Sequence, residues 1–133
     1  MNRVFVGMLI AAAALTGCTK SSEEGGRAGN DTFRISAPAL ATDIKQGELQ
    51  TVRLTLERGA GFKQRVMLEL IAPAGIEVDP LDATVEPGDK GELQLKIVVA
   101  KDAPIGEHLI LVRAVPDKGE PTETEFKITV SAQ

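Results

Sequence analysis

Few side chains in this sequence could carry out chemistry. Across 133 residues there is one cysteine, Cys18, and one histidine, His108. A single cysteine excludes an internal disulfide, and these two residues together cannot form a zinc or haem ligand set. A general base such as histidine also needs a nucleophile within reach, and the sequence suggests none for His108. We therefore expect no catalytic residue, no cofactor and no enzymatic activity.

The residues before Cys18 have the pattern of an export signal. Arg3 supplies a positive charge, and residues 4–15 form an apolar run (VFVGMLIAAAAL). A transmembrane helix needs about 20 apolar residues, so this run is too short to cross a bilayer. Its size and its position after a positive charge are typical of a secretory signal. We predict that residues 1–17 are a signal peptide that is removed.

The four residues Leu15-Thr16-Gly17-Cys18 resemble the lipobox of bacterial lipoprotein precursors, which reads Leu, a small residue, Gly or Ala, and then Cys. The resemblance implies cleavage before Cys18, attachment of a diacylglyceryl group to its thiol and acylation of its new amine, with fatty acids such as palmitate. Two or more acyl chains make release from a membrane slow. In enterobacterial lipoproteins Asp after the cysteine favours the inner membrane, so Thr19 favours the outer membrane. The alternative is a secreted protein with an incidental cysteine.

The remaining chain divides into a polar segment and a region of alternating hydrophobicity. Residues 18–30 are predicted to comprise the lipidated Cys18 and a flexible tether, because residues 19–30 (TKSSEEGGRAGN) are polar and rich in Gly and Ser. Such a tether has a reach of roughly 20 Å. Residues 31–133 show period-two alternation interrupted by Gly, Pro and Asp turns, without a helical period. About seven strands at this spacing predict an all-β, immunoglobulin-like antiparallel β-sandwich.

The turns of this region carry a second resemblance. Val85-Glu86-Pro87-Gly88 precedes the alternating residues 91–99, and Ala103-Pro104-Ile105-Gly106 precedes residues 107–114. Upstream, Pro73-Ala74-Gly75-Ile76 resembles a Pro-x-Gly-Trp element in which Ile replaces Trp. Together these motifs resemble bacterial immunoglobulin-like domains of the NEW3 and CARDB kind, which implies an accessory, spacer or adhesion module. Turn chemistry specifies a fold and not an activity.

Composition and charge weigh against several ligand classes. The net charge is -4, with 15 Lys and Arg against 19 Asp and Glu, which opposes binding to nucleic acid. Trp and Tyr, the rings on which sugars stack, are missing. Carbohydrate or peptidoglycan binding stays an alternative function, because NEW3-type domains often accompany glycoside hydrolases.

Four carboxylates define one further alternative. Asp79, Asp82, Glu86 and Asp89 lie in or beside one long connection, and calcium prefers clustered oxygen ligands. Their spacing matches no calcium loop, so we expect no metal, and a metal-binding envelope protein is the third hypothesis.

Residues 106–115 are almost continuously apolar, so the resemblance to immunoglobulin-like domains is what implies which of their side chains face the core. On this prediction His108 faces inward with Ile110, as a partly buried imidazole bonded to a backbone carbonyl. The opposite side of the strand then points outward, and immunoglobulin topology places the third strand beside it. The predicted outer-face patch comprises Met67, Ile71, Leu109, Leu111 and Val115. A register shift by one residue would exchange the two faces, and a loop could also cover them.

These observations lead to one preferred function. The sequence predicts a lipid-anchored, non-enzymatic protein of the bacterial cell envelope, held on the membrane through acyl chains on Cys18. Exposed apolar patches on a soluble domain usually bind a partner. We expect an envelope protein as the partner, bound by packing on a sheet face or by strand addition at an open edge.

Overall fold

The computed structural model describes residues 19–27 and 29–133, and the predicted signal peptide and the lipobox-like residues, including Cys18, lie outside the described residues. The described chain is all-β, with eleven strands and no helix. The first six strands are β1 (Thr19–Ser21), β2 (Gly25–Gly26), β3 (Thr32–Pro38), β4 (Thr42–Lys45), β5 (Leu49–Arg58) and β6 (Val66–Ile71). The remaining five are β7 (Ile76–Asp79), β8 (Asp82–Val85), β9 (Glu92–Val99), β10 (Gly106–Pro116) and β11 (Thr122–Ser131). Within this part of the chain no helix has the length and apolarity to span a bilayer.

The strands form two sheets that pack face to face. Sheet A has the order β1-β3-β5-β9-β7, with β2 also paired to β3, and sheet B has the order β4-β11-β10-β6-β8. Neighbouring strands are antiparallel except for β4 and β11, which are parallel. The chain changes sheets between β3 and β4, at a bend formed by residues 39–41. The predicted immunoglobulin-like β-sandwich is confirmed.

The core lies between the sheets and is built from the alternating apolar positions. In β10 the side chains of Ile110, Val112 and Ala114 are fully buried, while the residues between them are exposed or only partly buried. Phe33 and Phe62 contact each other with ring centroids 4.9 Å apart. The largest fully buried side chains come from both sheets: Phe33, Phe126, Ile35, Ile44, Leu54, Leu95, Ile97, Ile110, Ile128, Val66, Val99 and Val112. Burial of these residues removes apolar surface from water, and this stabilises the sandwich without the help of a disulfide.

The structure contains four short strands that the alternation did not predict, namely β1, β2, β4 and β8. In β4 only Ile44 is buried, and in β8 only Val85 is buried. A strand with a single buried side chain shows no alternation of apolar and polar residues, so the sequence pattern does not reveal it. These strands depend on backbone hydrogen bonds to a neighbour, which every residue except proline can make as both donor and acceptor.

The prediction of a flexible tether is wrong for residues 19–27, because this segment pairs with sheet A. In β1 Thr19 lies opposite Pro38, and in β2 Gly25 lies opposite Phe33. Between these strands Ser22 is buried, and its N–H donates to the carbonyl of Ile35 at 2.8 Å. The composition of this segment did not predict its pairing with β3, because composition indicates which side chains can be buried, whereas the pairing is made by backbone hydrogen bonds. Gly25 is required for close approach, since a Cβ there would lie 2.9 Å from the Phe33 ring.

Candidate functional site

The candidate site is the outer face of sheet B, centred on β10. Alternate residues of β10 point away from the core, and β6 lies beside β10 in the sheet. The structure places all five residues of the outer-face patch on this side. Met67 is 49% exposed, Ile71 53%, Leu109 47% and Leu111 42%, and Val115 is partly exposed. No described loop covers these side chains, so neither the shifted register nor the covering segment occurs among the described residues.

A row of charged side chains divides the outer-face patch. The sequence analysis predicted the patch but not this row. Leu111 lies opposite Ile71, and Val115 lies opposite Met67. Between these two apolar pairs Arg113 lies opposite Glu69 on one side and Glu123 on the other. The guanidinium Nε of Arg113 is 3.8 Å from the Glu123 carboxylate. The period of two places Arg113 on this face, but only the strand register shows that its neighbours are acidic.

The strands that flank the patch present polar side chains. On β11, Lys127 lies opposite Leu109 and Glu125 lies opposite Leu111. On β8, Asp82 and Thr84 are exposed. A shallow depression of about 520 Å³ lies where β6, β8 and β10 meet, lined in part by Met67, Asp82, Thr84, Arg113 and Val115. The outer-face patch thus has exposed apolar side chains on both sides of Arg113 and a polar rim, and a polar rim around apolar contacts is usual at protein-binding surfaces.

His108 takes a structural position, and its predicted orientation is confirmed. Its side chain is partly buried on the inner side of β10, and Nε2 is 2.7 Å from the carbonyl oxygen of Pro104. Because a carbonyl only accepts, Nε2 carries the proton in this bond. The bond ties the turn before β10 to the strand itself.

Among the four carboxylates around β8, Asp89 has a local structural role. The Asp89 carboxylate accepts a hydrogen bond from the N–H of Glu86 at 2.9 Å, which closes the turn after β8. Asp82 lies in β8 opposite Glu69. Among residues 19–27 and 29–133, no group of three or more His, Cys, Asp or Glu side chains is arranged to hold a metal ion.

Leu40 is an exposed apolar side chain that the sequence pattern did not indicate. Leu40, in the bend between β3 and β4, is 68% exposed and is the most exposed large apolar side chain in the described part of the chain. It lies between Ala39 and Ala41, which are also exposed. An isolated leucine among alanines has no period, so no pattern marks it. Its position beside β1 is visible only in the folded chain.

Comparisons with known proteins identify the fold of this chain but neither its family nor its function. No family model matches the chain, and no curated protein matches it. Among solved structures it is similar to WR4, an MSP family member of C. elegans, with a TM-score of 0.52 and 18% identity over 74% of this chain and 97% of that one. It is similar to the E. coli chaperone DraB, with a TM-score of 0.55 and 17% identity over 75% of this chain and 55% of that one.

A third similar structure is a family 123 glycoside hydrolase from Clostridium perfringens. Its TM-score is 0.53 at 10% identity, over 71% of this chain and 23% of the hydrolase. The chain therefore spans about half of the chaperone and a quarter of the hydrolase. At such low identity the similarities show the fold alone. That fold is an immunoglobulin-like β-sandwich shared with MSP and chaperone domains, and the lipobox and the NEW3 and CARDB resemblances stay predictions.

Proposed function

We propose that this chain is a lipid-anchored protein of the bacterial cell envelope that binds another protein through the outer-face patch and catalyses no reaction. The observation that carries the binding role is the register of β6 and β10, which sets two exposed apolar pairs on either side of Arg113. The lipobox at residues 15–18 supports the anchor, and Thr19 after it favours the outer membrane.

The chemistry of this surface suits a protein partner. Burial of exposed aliphatic side chains contributes about 25 cal/mol per Å² of apolar surface. Arginine at the centre of such a surface is a frequent determinant of binding energy. The ion pair between Arg113 and Glu123 is solvent-exposed, and such pairs contribute about 0–1 kcal/mol. Arg113 can therefore exchange Glu123 for an acidic group of the partner at little cost.

The test uses a charge variant that the sheet itself accommodates. In Leu109→Glu, Leu111→Lys each new charge lies directly opposite a charge of the other sign, Lys127 and Glu125 respectively. Opposite charges in this position stabilise a sheet, so the variant removes the apolar surface while it keeps the fold and the net charge. The matched control is Leu49→Glu, because Leu49 is 52% exposed and belongs to sheet A.

Crosslinking in cells, followed by mass spectrometry, identifies the proteins held by each variant. We expect a specific partner with the parent and with Leu49→Glu, and its loss with the double variant. Retention of the same partner by the double variant would show that recognition lies elsewhere. Binding of the purified protein to peptidoglycan, abolished by the double variant, would favour the carbohydrate alternative instead.

The anchor is tested separately with Cys18→Ser. In the parent we expect incorporation of labelled palmitate and recovery with the membrane fraction, and both should be lost in the variant. A parent protein that incorporates no fatty acid would refute the anchor. The role of the outer-face patch would still be tested independently by the crosslinking experiment.

A further inference from the structure

The position of Thr19 determines where an anchor on Cys18 would meet the domain. Thr19 begins β1 at the edge of sheet A and lies opposite Pro38. One peptide bond, which spans about 3.8 Å between Cα atoms, joins Thr19 to the residue before it, so an anchor on that residue would connect to the domain at this edge. Because residues 19–21 are paired in β1, no free tether separates the anchor from the sandwich.

The neighbouring bend has the composition of a membrane-contacting surface. We define the bend segment as residues 38–41, with the sequence Pro-Ala-Leu-Ala. Ala39, Leu40 and Ala41 are all exposed, and no charged side chain occurs from residue 35 to residue 42. In β1 the Lys20 ammonium is exposed and lies 3.5 Å from the Glu125 carboxylate of β11. Lysine at such a position can contact lipid phosphates.

We propose that the bend segment inserts into the headgroup layer of the bilayer that holds Cys18, and that this second contact fixes the orientation of the sandwich. The inference rests on the lipid anchor of the proposed function. Acyl chains at one point leave a domain free to rotate about that point. An adjacent apolar side chain that enters the boundary between headgroups and acyl chains removes that freedom.

The orientation has a consequence for binding. With the bend segment on the bilayer, the sandwich stands on the edge formed by β1 and β4. Sheet B then rises from the membrane in the order β4, β11, β10, and adjacent strands are about 4.8 Å apart. The outer-face patch therefore begins roughly 10 Å from that edge and faces sideways, towards a partner that lies close to the same membrane.

A fluorescent label can report the environment of the bend segment in the full lipidated protein. The chain has one cysteine, and a lipid group on its thiol leaves an introduced cysteine as the only reactive one. Leu40→Cys is labelled with an environment-sensitive fluorophore, and Ala39→Cys serves as a second position in the bend. The control is Leu81→Cys, which is 56% exposed and lies between the edge strands β7 and β8 on the far side of the sandwich.

The proteins are reconstituted into vesicles of phosphatidylethanolamine and phosphatidylglycerol. Spin-labelled lipid is the quencher in the membrane, and iodide is the quencher in water. We expect the lipid quencher to act at least threefold more strongly on the labels at positions 39 and 40 than on the label at position 81. Iodide should show the reverse preference.

The outcomes separate this inference from the anchor. Equal quenching of all three labels by iodide, with Cys18 shown to be acylated by mass spectrometry, would overturn the orientation and leave the anchor in place. An unmodified Cys18 in the mature protein would refute the anchor and the orientation together.

Discussion

Replacement of Ser22 by alanine tests whether the N-terminal segment belongs to the sandwich. The Ser22 hydroxyl accepts a hydrogen bond from the N–H of Ile35 at 3.0 Å and donates one to the carbonyl of Glu23 at 2.9 Å. Ser22 is 8% exposed, and the bond to Ile35 is buried. The substitution therefore leaves the Ile35 donor without a partner in a place that water does not reach.

The expected cost follows from this geometry. A buried donor without a partner costs about 1–3 kcal/mol, because it loses its hydration and gains nothing in return. For a domain of this size 1 kcal/mol corresponds to roughly 4 °C in Tm, so Ser22→Ala should lower Tm by about 4–12 °C. If the segment were instead a solvated tether, the same substitution would change the free energy of unfolding by no more than about 0.5 kcal/mol.

The assay is thermal and urea unfolding of residues 18–133 with Cys18→Ser, which removes the predicted acylation site. Circular dichroism is the readout, because the chain has no Trp or Tyr for fluorescence. The control is Lys20→Ala in the same segment, whose ion pair with Glu125 is exposed and contributes about 0–1 kcal/mol. A Ser22→Ala protein as stable as its parent would refute the docking of residues 19–27 on sheet A.

Three further predictions concern the elements around the site. His108→Ala should lower the free energy of unfolding by about 0.5–1.5 kcal/mol, since it removes the bond to Pro104, and an unchanged urea midpoint would contradict that role. Gly119→Ala should loosen the N-terminal segment, because φ is 106° and a Cβ would lie 2.5 Å from the Gly26 carbonyl. Faster hydrogen exchange at the Gly26 amide is the measurement, and unchanged protection would argue against the contact. Ile110→Glu buries an unpaired carboxylate in the core and should abolish cooperative unfolding, whereas a folded variant would mean that β10 is displaced by one residue.

The alternation of apolar and polar residues was enough to predict the fold class. The inward face of β10, whose residues are almost continuously apolar, was implied by the resemblance to immunoglobulin-like domains. A strand has a side-chain period of two, so each residue is assigned to a face once one face is known to be buried. For this reason the burial of Ile110, the exposure of Leu111 and the position of His108 could be predicted before any neighbour was known. The same rule placed Met67 and Ile71 outside on β6.

The composition of the N-terminal segment led to the wrong prediction of a flexible tether, because composition describes side chains alone. A run of Gly, Ser and Glu has no apolar face to bury, and so it resembles a linker. Its docking depends on the backbone of β1 and β2 and on one buried hydroxyl, that of Ser22. Side-chain hydropathy carries no information about such pairing, because the backbone donors and acceptors are the same in nearly every residue.

By itself the sequence determined the strand period, the core and the motif at Cys18. Only the tertiary structure decided which residues meet across strands. It set Arg113 between Glu69 and Glu123, and it brought the bend at Leu40 next to the residue that follows Cys18. These are contacts between distant parts of the chain, fixed by how the strands pair and in which register. A local pattern encodes the face that a residue occupies, but its neighbours on that face depend on the whole sheet.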